Sequence, residues 1–145
     1  MKSLLAAAAL ALSAVPAAAL ACDGAGEKQV SRAPWQPVTV DALATRLEKK
    51  AVTVFDANHE DFRAKNGVLP GAKLLSSSSS YDVEKELPAQ KDTALVFYCA
   101  NEKCTASHKA AERAAAAGFK EVSVLTVGFK GWKAAGKPTE SLPRS

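Results

Sequence analysis

The sequence lacks a strong surplus of charge, an internal repeat and an apolar segment with the length and composition of a membrane span. Its 145 residues carry 19 basic and 15 acidic side chains, and the two kinds are interleaved. This mild, scattered charge excludes the clustered basic face of a nucleic-acid-binding domain. The length fits one domain, and 48% hydrophobic with 23% charged residues is typical of a globular protein.

Residues 1–21 predict a secretory signal peptide. Lys2 is the only charge, an Ala- and Leu-rich stretch broken at Pro16 follows, and Ala19-Leu20-Ala21 forms a small-x-small cleavage site. The apolar part is too short and too rich in alanine for a membrane span. We therefore expect an exported protein of the periplasm or cell envelope, and its remaining residues carry a net charge of +3.

Cysteine is scarce, with three residues: Cys22, Cys99 and Cys104. In an exported protein, thiols are oxidised unless something keeps them reduced, and Cys99 and Cys104 are close enough in sequence to pair. Cys22 would then be left over, directly after the predicted cleavage site, where a lipid on its thiol would account for it. Leu20, however, stands two residues before Cys22, whereas bacterial lipoprotein signals place the large apolar residue three before. A lipid anchor and a soluble export product remain alternatives.

The rest of the chain alternates helical and strand patterns after a polar tether over 22–37, in which Trp35 is expected to anchor on the domain. The helices are predicted at 39–50, 59–65, 82–87, 106–117 and 131–136, and the strands at 51–57, 73–75, 93–100 and 122–127. Thr39 or Asp41 is expected to cap the first helix and Asp82 the third, and Gly118 is expected to end the fourth. A turn at Pro70-Gly71 and a serine-rich loop over 76–82, to which we assign no chemical role, separate some of these elements. This alternation predicts an α/β domain with a mostly parallel sheet between helices.

Cys99 ends the most apolar predicted strand, and a helix begins shortly after it. Binding sites in parallel sheets form beyond the carboxyl ends of the strands. The amides of residues 100–103 and the helix N-terminus could surround the sulfur, stabilise a thiolate and bind an anion. This arrangement favours a nucleophile that receives and hands on an anionic group. The alternative is a buried structural cysteine at the end of a strand.

Four segments, in order, resemble the single-domain rhodanese family: VFDANHEDF, NGVLPGA, LVFYC and AAERAAAAGFKEVSVLTVGFKGWKAAGKP. The resemblance implies a rhodanese-like domain over 38–140, before a tail at 141–145, with a five-stranded parallel sheet flanked by helices. It implies a sulfurtransferase in which Cys99 carries sulfur as a persulfide. The implied substrate-binding loop comprises Ala100, Asn101, Glu102, Lys103, Thr105, Ser107 and His108.

The active-site loop departs from the family pattern Cys-x-x-Gly-x-Arg-Ser. Glu102 replaces the Gly, Cys104 the Arg and Thr105 the Ser, and a loop two residues longer would make Ser107 the counterpart of the Ser. Glu102 in this loop would repel anionic donors and raise the pKa of Cys99. With the missing Arg, it favours a neutral or polysulfide-type sulfur donor. The absent Arg also argues against the oxyanion chemistry of the related phosphatases and arsenate reductases.

Outside the loop, two family positions also differ. The family's Asp-x-Arg is Asp56-Ala57-Asn58, and its His before the Pro-Gly turn is Gly67. Asp56 is expected to cap the following turn, and Arg63 to pair with a carboxylate on the surface. Trp132 is expected in the core and His59 in solvent.

Cys104 has three interpretations. It can be a resolving thiol that attacks a modified Cys99, it can form a permanent disulfide that silences the domain, or it can bind a thiophilic metal together with Cys99 and His108. We expect the first. It predicts a catalytic pair, Cys99 and Cys104, in a monomer that needs no cofactor and no metal. Its partners are a small sulfur donor and a thiol acceptor. The alternative function is a catalytically silent rhodanese-fold binding module.

Overall fold

The structure is a computed structural model that describes residues 33–142. The predicted signal peptide, Cys22, most of the tether and the last three residues lie outside the described residues. Export, lipidation and the domain boundaries therefore stay predictions. No helix within 33–142 is long and apolar enough to cross a membrane.

A five-stranded parallel sheet forms the centre of the domain, in the order β1-β5-β4-β2-β3. The strands are β1 Gln36–Pro37, β2 Thr53–Asp56, β3 Lys73–Leu74, β4 Leu95–Tyr98 and β5 Val122–Leu125. All four residues of β4 are buried, as its apolar sequence predicts for the middle of a covered parallel sheet. The predicted fold class is confirmed.

Five helices cover the sheet, and two of them begin at predicted capping residues. The helices are α1 Val40–Glu48, α2 Glu60–Asn66, α3 Val83–Glu86, α4 Ala106–Ala116 and α5 Gly128–Ala134. The Thr39 hydroxyl accepts from the Ala42 amide at the start of α1, and the Asp82 carboxylate accepts from two amides at the start of α3. Gly118 follows α4 with φ +93°, a conformation that suits the predicted helix stop.

Alternate residues of the central strands divide the core into two layers. Phe55 and Phe97 pack with the alanine face of α4, whereas Val96 and Tyr98 pack on the other face with α1 and α5. Trp132 is 1% exposed on that second face, as predicted. The two layers hold β4 in the middle of the domain and fix the place where its carboxyl end emerges.

Strand β1 was not predicted, because its two residues lie in the segment assigned to the tether. It pairs only with β5, at the edge of the sheet, where Pro37 is tolerated. Trp35 precedes β1 and stacks on His108 with ring centroids 4.7 Å apart. The expected anchoring of Trp35 on the domain is therefore seen, at a rim of the core.

Candidate active site

Cys99 follows the last residue of β4 and is 1% exposed. Its backbone carbonyl accepts from the Phe129 amide at 2.8 Å, and the carbonyl of Ala100 accepts from the Lys130 amide at 3.0 Å. The first turn of α5 therefore holds the segment that leaves the strand. This segment is fixed through its main chain, independently of the sulfur.

Gly128 makes that contact possible. It has φ +61°, and a Cβ there would lie 2.5 Å from the carbonyl oxygen of Cys99 and 2.7 Å from the amide nitrogen of Asn101. Both the left-handed backbone and the close approach favour a residue without a side chain. Gly128 thus allows α5 to begin directly against the Cys99 loop.

The loop after Cys99 closes on Asn101 rather than around the sulfur. The Cys104 amide donates to the Asn101 carbonyl at 3.0 Å, and the Lys103 amide donates to the Asn101 side-chain oxygen at 3.0 Å. The expectation that the amides of 100–103 surround the sulfur is wrong for Lys103, because the Asn101 side chain accepts its hydrogen bond. The sulfur meets other partners instead.

Three polar groups surround the Cys99 sulfur. The thiol donates to the Cys104 carbonyl oxygen at 2.9 Å and lies 3.9 Å from the Asn101 carbonyl oxygen. The Ser107 hydroxyl, in the first turn of α4, is 3.2 Å from Sγ. Carbonyl oxygens favour the protonated thiol, whereas a donating hydroxyl favours the thiolate.

The pKa of Cys99 is raised above its usual value, first by burial and then by the neighbouring Cys104 side chain. The Ser107 hydroxyl and amide lower it in part. The sequence predicted a stabilised thiolate, but burial and the Cys104 side chain outweigh the donors of Ser107. Glu102 is not among the causes, since its side chain is exposed on the turn.

The other predicted loop residues separate into two groups. Lys103 and Thr105 are exposed, and the Thr105 side chain makes no capping hydrogen bond to α4. His108 is half-buried, but its ring stacks on Trp35. Among residues 33–142, no three His, Cys, Asp or Glu side chains form a potential metal site, so Cys99, Cys104 and His108 are not gathered as metal binding would need.

Cys104 faces a cleft of about 810 Å³ beside the carboxyl edge of the sheet, which Cys99 does not line. Both thiols are free in the structure, and Cys104 is half-buried. The cleft wall is formed by segments that follow the strands. It includes Ala57 and Asn58 after β2, the start of α2, Ser76–Ser78 after β3, and Ala100 and Cys104 after β4. Sequence reasoning missed Asn58 and Ser76–Ser78 as cleft residues, although the altered Asp-x-Asn motif pointed to the first.

Asp56 ends β2 next to Cys99 and holds a buried network. Its carboxylate accepts from the Asn58 amide at 2.6 Å, from Arg63 Nε at 3.1 Å and from the Tyr98 hydroxyl. Arg63 also donates to the carbonyls of Asp56 and Leu75. The turn-capping role of Asp56 is confirmed. The surface pairing expected for Arg63 is wrong, because Arg63 is 7% exposed and pairs inside the domain.

Comparison with known families agrees with this architecture. The sequence profile described as the rhodanese-like domain matches residues 39–135, about two thirds of the chain. The chain therefore belongs to the rhodanese-like domain family, whose fold is of the sulfurtransferase type. No curated protein matches the chain in sequence.

Solved structures share the fold but differ in their stated chemistry. The rhodanese-like domain of an Anabaena protein is 26% identical, with 73% of this chain and 79% of that one covered and a TM-score of 0.61. A rhodanese-like domain protein from Staphylococcus aureus is also 26% identical, with 73% and 99% covered and a TM-score of 0.56. A Rhodopseudomonas palustris protein, described as of unknown function and a possible tyrosine phosphatase, is 23% identical, with 73% and 85% covered and a TM-score of 0.60. This last likeness shows the fold alone.

Proposed function

We propose that this protein is an exported sulfurtransferase that carries sulfane sulfur as a persulfide on Cys99. The observation that carries the proposal is the position of Cys99 at the carboxyl end of the central strand of a rhodanese-like domain, with the Ser107 hydroxyl 3.2 Å from its sulfur. That hydroxyl can donate to the thiolate and to the persulfide anion that replaces it.

The proposed reaction needs no external oxidant. The Cys99 thiolate attacks the outer sulfur of the donor, a sulfur–sulfur bond forms, and the donor's own sulfur–sulfur bond breaks with its electron pair on the leaving group. The acceptor thiolate then attacks the outer sulfur of the persulfide and releases the Cys99 thiolate. Because the thiol must first lose its proton, its raised pKa lowers the fraction of thiolate available for loading at neutral pH.

Cys104 acts as the resolving thiol in this proposal. The Cys104 carbonyl contacts the Cys99 sulfur and its side chain borders the cleft, so the two thiols share one loop. Attack of the Cys104 thiolate on the inner sulfur of the persulfide releases hydrosulfide and leaves a Cys99–Cys104 disulfide. A reductant must then restore both thiols before another cycle.

Mass spectrometry after a single addition of donor tests both roles. Reduced protein should gain one sulfur atom at Cys99, and Cys99→Ser should gain none. Cys104→Ala should load Cys99 but keep the persulfide longer than the native protein, which should accumulate the disulfide. Sulfur gain in Cys99→Ser would exclude Cys99 as the acceptor. Equal persulfide lifetimes without a disulfide would leave Cys104 as a packing residue.

A silent binding module is the second candidate, and the burial and raised pKa of Cys99 favour it. Thiol counting on protein purified from its export compartment separates the two functions. Two reactive thiols besides Cys22 support the enzyme. None, even after mild reduction, supports the silent module.

A further inference from the structure

Asn58 carries a buried hydrogen-bond donor that the folded chain leaves unused. Its side chain is 8% exposed, and Nδ2 has no hydrogen-bond partner among the described residues. Such a group loses its hydration on folding without gaining a replacement, which native proteins usually avoid. The described part of the chain holds one other such side-chain donor, Trp35 Nε1, and Trp35 does not line the cleft.

The cleft beside Asn58 offers space for a ligand. Asn58 lines it together with Cys104 and with Ala100, the residue next to Cys99. The Asn58 backbone is fixed at the same time, because its amide donates to the buried Asp56 carboxylate at 2.6 Å. An immobile backbone and an unused amide are the arrangement of a preorganised binding group.

The charged side chains of the cleft wall are Glu60 and Arg63. Arg63 borders the cleft, but its guanidinium pairs with the Asp56 carboxylate and with two main-chain carbonyls. In the family pattern named above, an Arg stands where this chain has Asn58. The carboxamide therefore supplies one directional hydrogen bond in place of a full charge.

We propose that Asn58 Nδ2 donates a hydrogen bond to an anionic oxygen on the leaving group of the sulfur donor, and so helps to select the donor. This inference rests on the proposed function. The donors with that chemistry are thiosulfate, whose leaving group is sulfite, and small persulfides that bear a carboxylate. During transfer the electron pair of the broken sulfur–sulfur bond goes to that leaving group, and Asn58 fixes its position. Inorganic polysulfide has no oxygen for Asn58 to bind.

The test compares Asn58→Leu with native protein in the loading of Cys99 by thiosulfate, by cysteine persulfide and by inorganic polysulfide. Loss of a hydrogen bond to a charged oxygen should raise the concentration for half-maximal loading about tenfold. The donor that shows this rise identifies the source of the oxygen, whereas polysulfide loading should change less than twofold. Asp61→Ala is the control, since the Asp61 carboxylate is 98% exposed and Asp61 does not line the cleft.

The stability of Asn58→Leu gives an independent readout. Because the native amide is buried without a partner, an apolar side chain of similar shape should leave the urea midpoint unchanged or raise it. A residue kept only for folding would instead lower the midpoint when replaced. Unchanged half-maximal loading with both oxygen-bearing donors, or an equal loss with polysulfide, would overturn the assignment of Asn58.

Direct binding separates this inference from the proposed function. Thiosulfate titrated calorimetrically into Cys99→Ser cannot transfer its sulfur to that residue, so the experiment reports recognition alone. Binding that weakens about tenfold in Cys99→Ser/Asn58→Leu supports Asn58 even if the native protein never forms a persulfide. If cysteine persulfide is the donor identified by loading, the same pair is titrated with its stable analogue S-methylcysteine. Equal binding by the two variants overturns the role of Asn58 while leaving Cys99 chemistry standing.

Discussion

Two neighbouring strands of this sheet end at buried acidic groups, and the two groups have opposite hydrogen-bonding surroundings. Asp56, after β2, is 0% exposed, and its carboxylate accepts hydrogen bonds from Asn58, Arg63 and Tyr98. Cys99, after β4, is 1% exposed, yet its sulfur lies against two carbonyl oxygens. Three donors, one of them the Arg63 cation, stabilise a charge at the first position, whereas burial and carbonyl acceptors outweigh the Ser107 donors at the second.

The difference separates a structural position from the one that we propose to be reactive. The Asp56 network joins the end of β2 to β4 through Tyr98 and to the segment after β3 through the bond from Arg63 to Leu75. Burial and the Asp56 charge raise the pKa of Tyr98, so its hydroxyl stays a donor. Tyr98 directly precedes Cys99, so the Asp56 network fixes the strand end that Cys99 follows.

Removing the carboxylate should have the largest effect on stability. Asp56→Ala leaves the buried Arg63 guanidinium without its charge partner and should lower the free energy of unfolding by about 3–5 kcal/mol. Urea denaturation followed by circular dichroism measures it. Asp61→Ala is the control, since that carboxylate is 98% exposed and should change stability by less than about 0.5 kcal/mol. A loss below about 1 kcal/mol for Asp56→Ala would show that the Asp56 network contributes little to the free energy of unfolding.

The main-chain support of Cys99 can be disturbed without touching its sulfur. Gly128→Ala adds left-handed strain and a Cβ against the Cys99 carbonyl, and should cost about 2–5 kcal/mol of unfolding free energy. Gly136→Ala has a similar φ of +70° but no atom within 4 Å of the added Cβ, so only the strain of about 1–2 kcal/mol remains. Equal losses in the two variants would mean that the close approach of α5 to Cys99 contributes nothing.

Local sequence rules predicted the elements that depend on neighbouring residues. The helix caps at Thr39 and Asp82, the stop at Gly118 and the buried character of β4 all follow from adjacent side chains or from periodicity. The position of Cys99 at a strand end follows in the same way. The overall parallel fold then follows from the alternation of these elements.

The features that escaped prediction depend on contacts between distant segments. Strand β1 is two residues long and exists only through pairing with β5, far along the chain. The burial of Arg63 depends on the carbonyl of Asp56, at the end of β2, and on that of Leu75, after β3, which its own helix does not reveal. The raised pKa of Cys99 depends first on its burial by other elements of the fold and then on the neighbouring Cys104 side chain. The sequence pattern shows which groups are near in the chain, but not which acceptor each donor finds.

The smallest expected effect concerns protonation, and it tests the contrast between the two strand ends directly. Ordinary cysteine has a pKa of about 8.5, and burial and Cys104 raise the pKa of Cys99 above its usual value. Below its pKa, the thiolate fraction and the alkylation rate increase tenfold for each pH unit. At neutral pH Cys99 should therefore be alkylated more slowly than a free cysteine, with a midpoint at higher pH.

Substitution of the two neighbours should move this midpoint in opposite directions. Cys104→Ala removes a cause that raises the pKa of Cys99 and should lower the midpoint, whereas Ser107→Ala removes a donor that lowers the pKa and should raise it. Iodoacetamide labelling at several pH values, followed by mass spectrometry of the Cys99 peptide, measures both. Thr105→Ala is the control, because its exposed side chain makes no capping hydrogen bond and should leave the midpoint unchanged. A Cys99 midpoint at or below that of free cysteine would remove the contrast with Asp56, since both strand ends would then stabilise an anion.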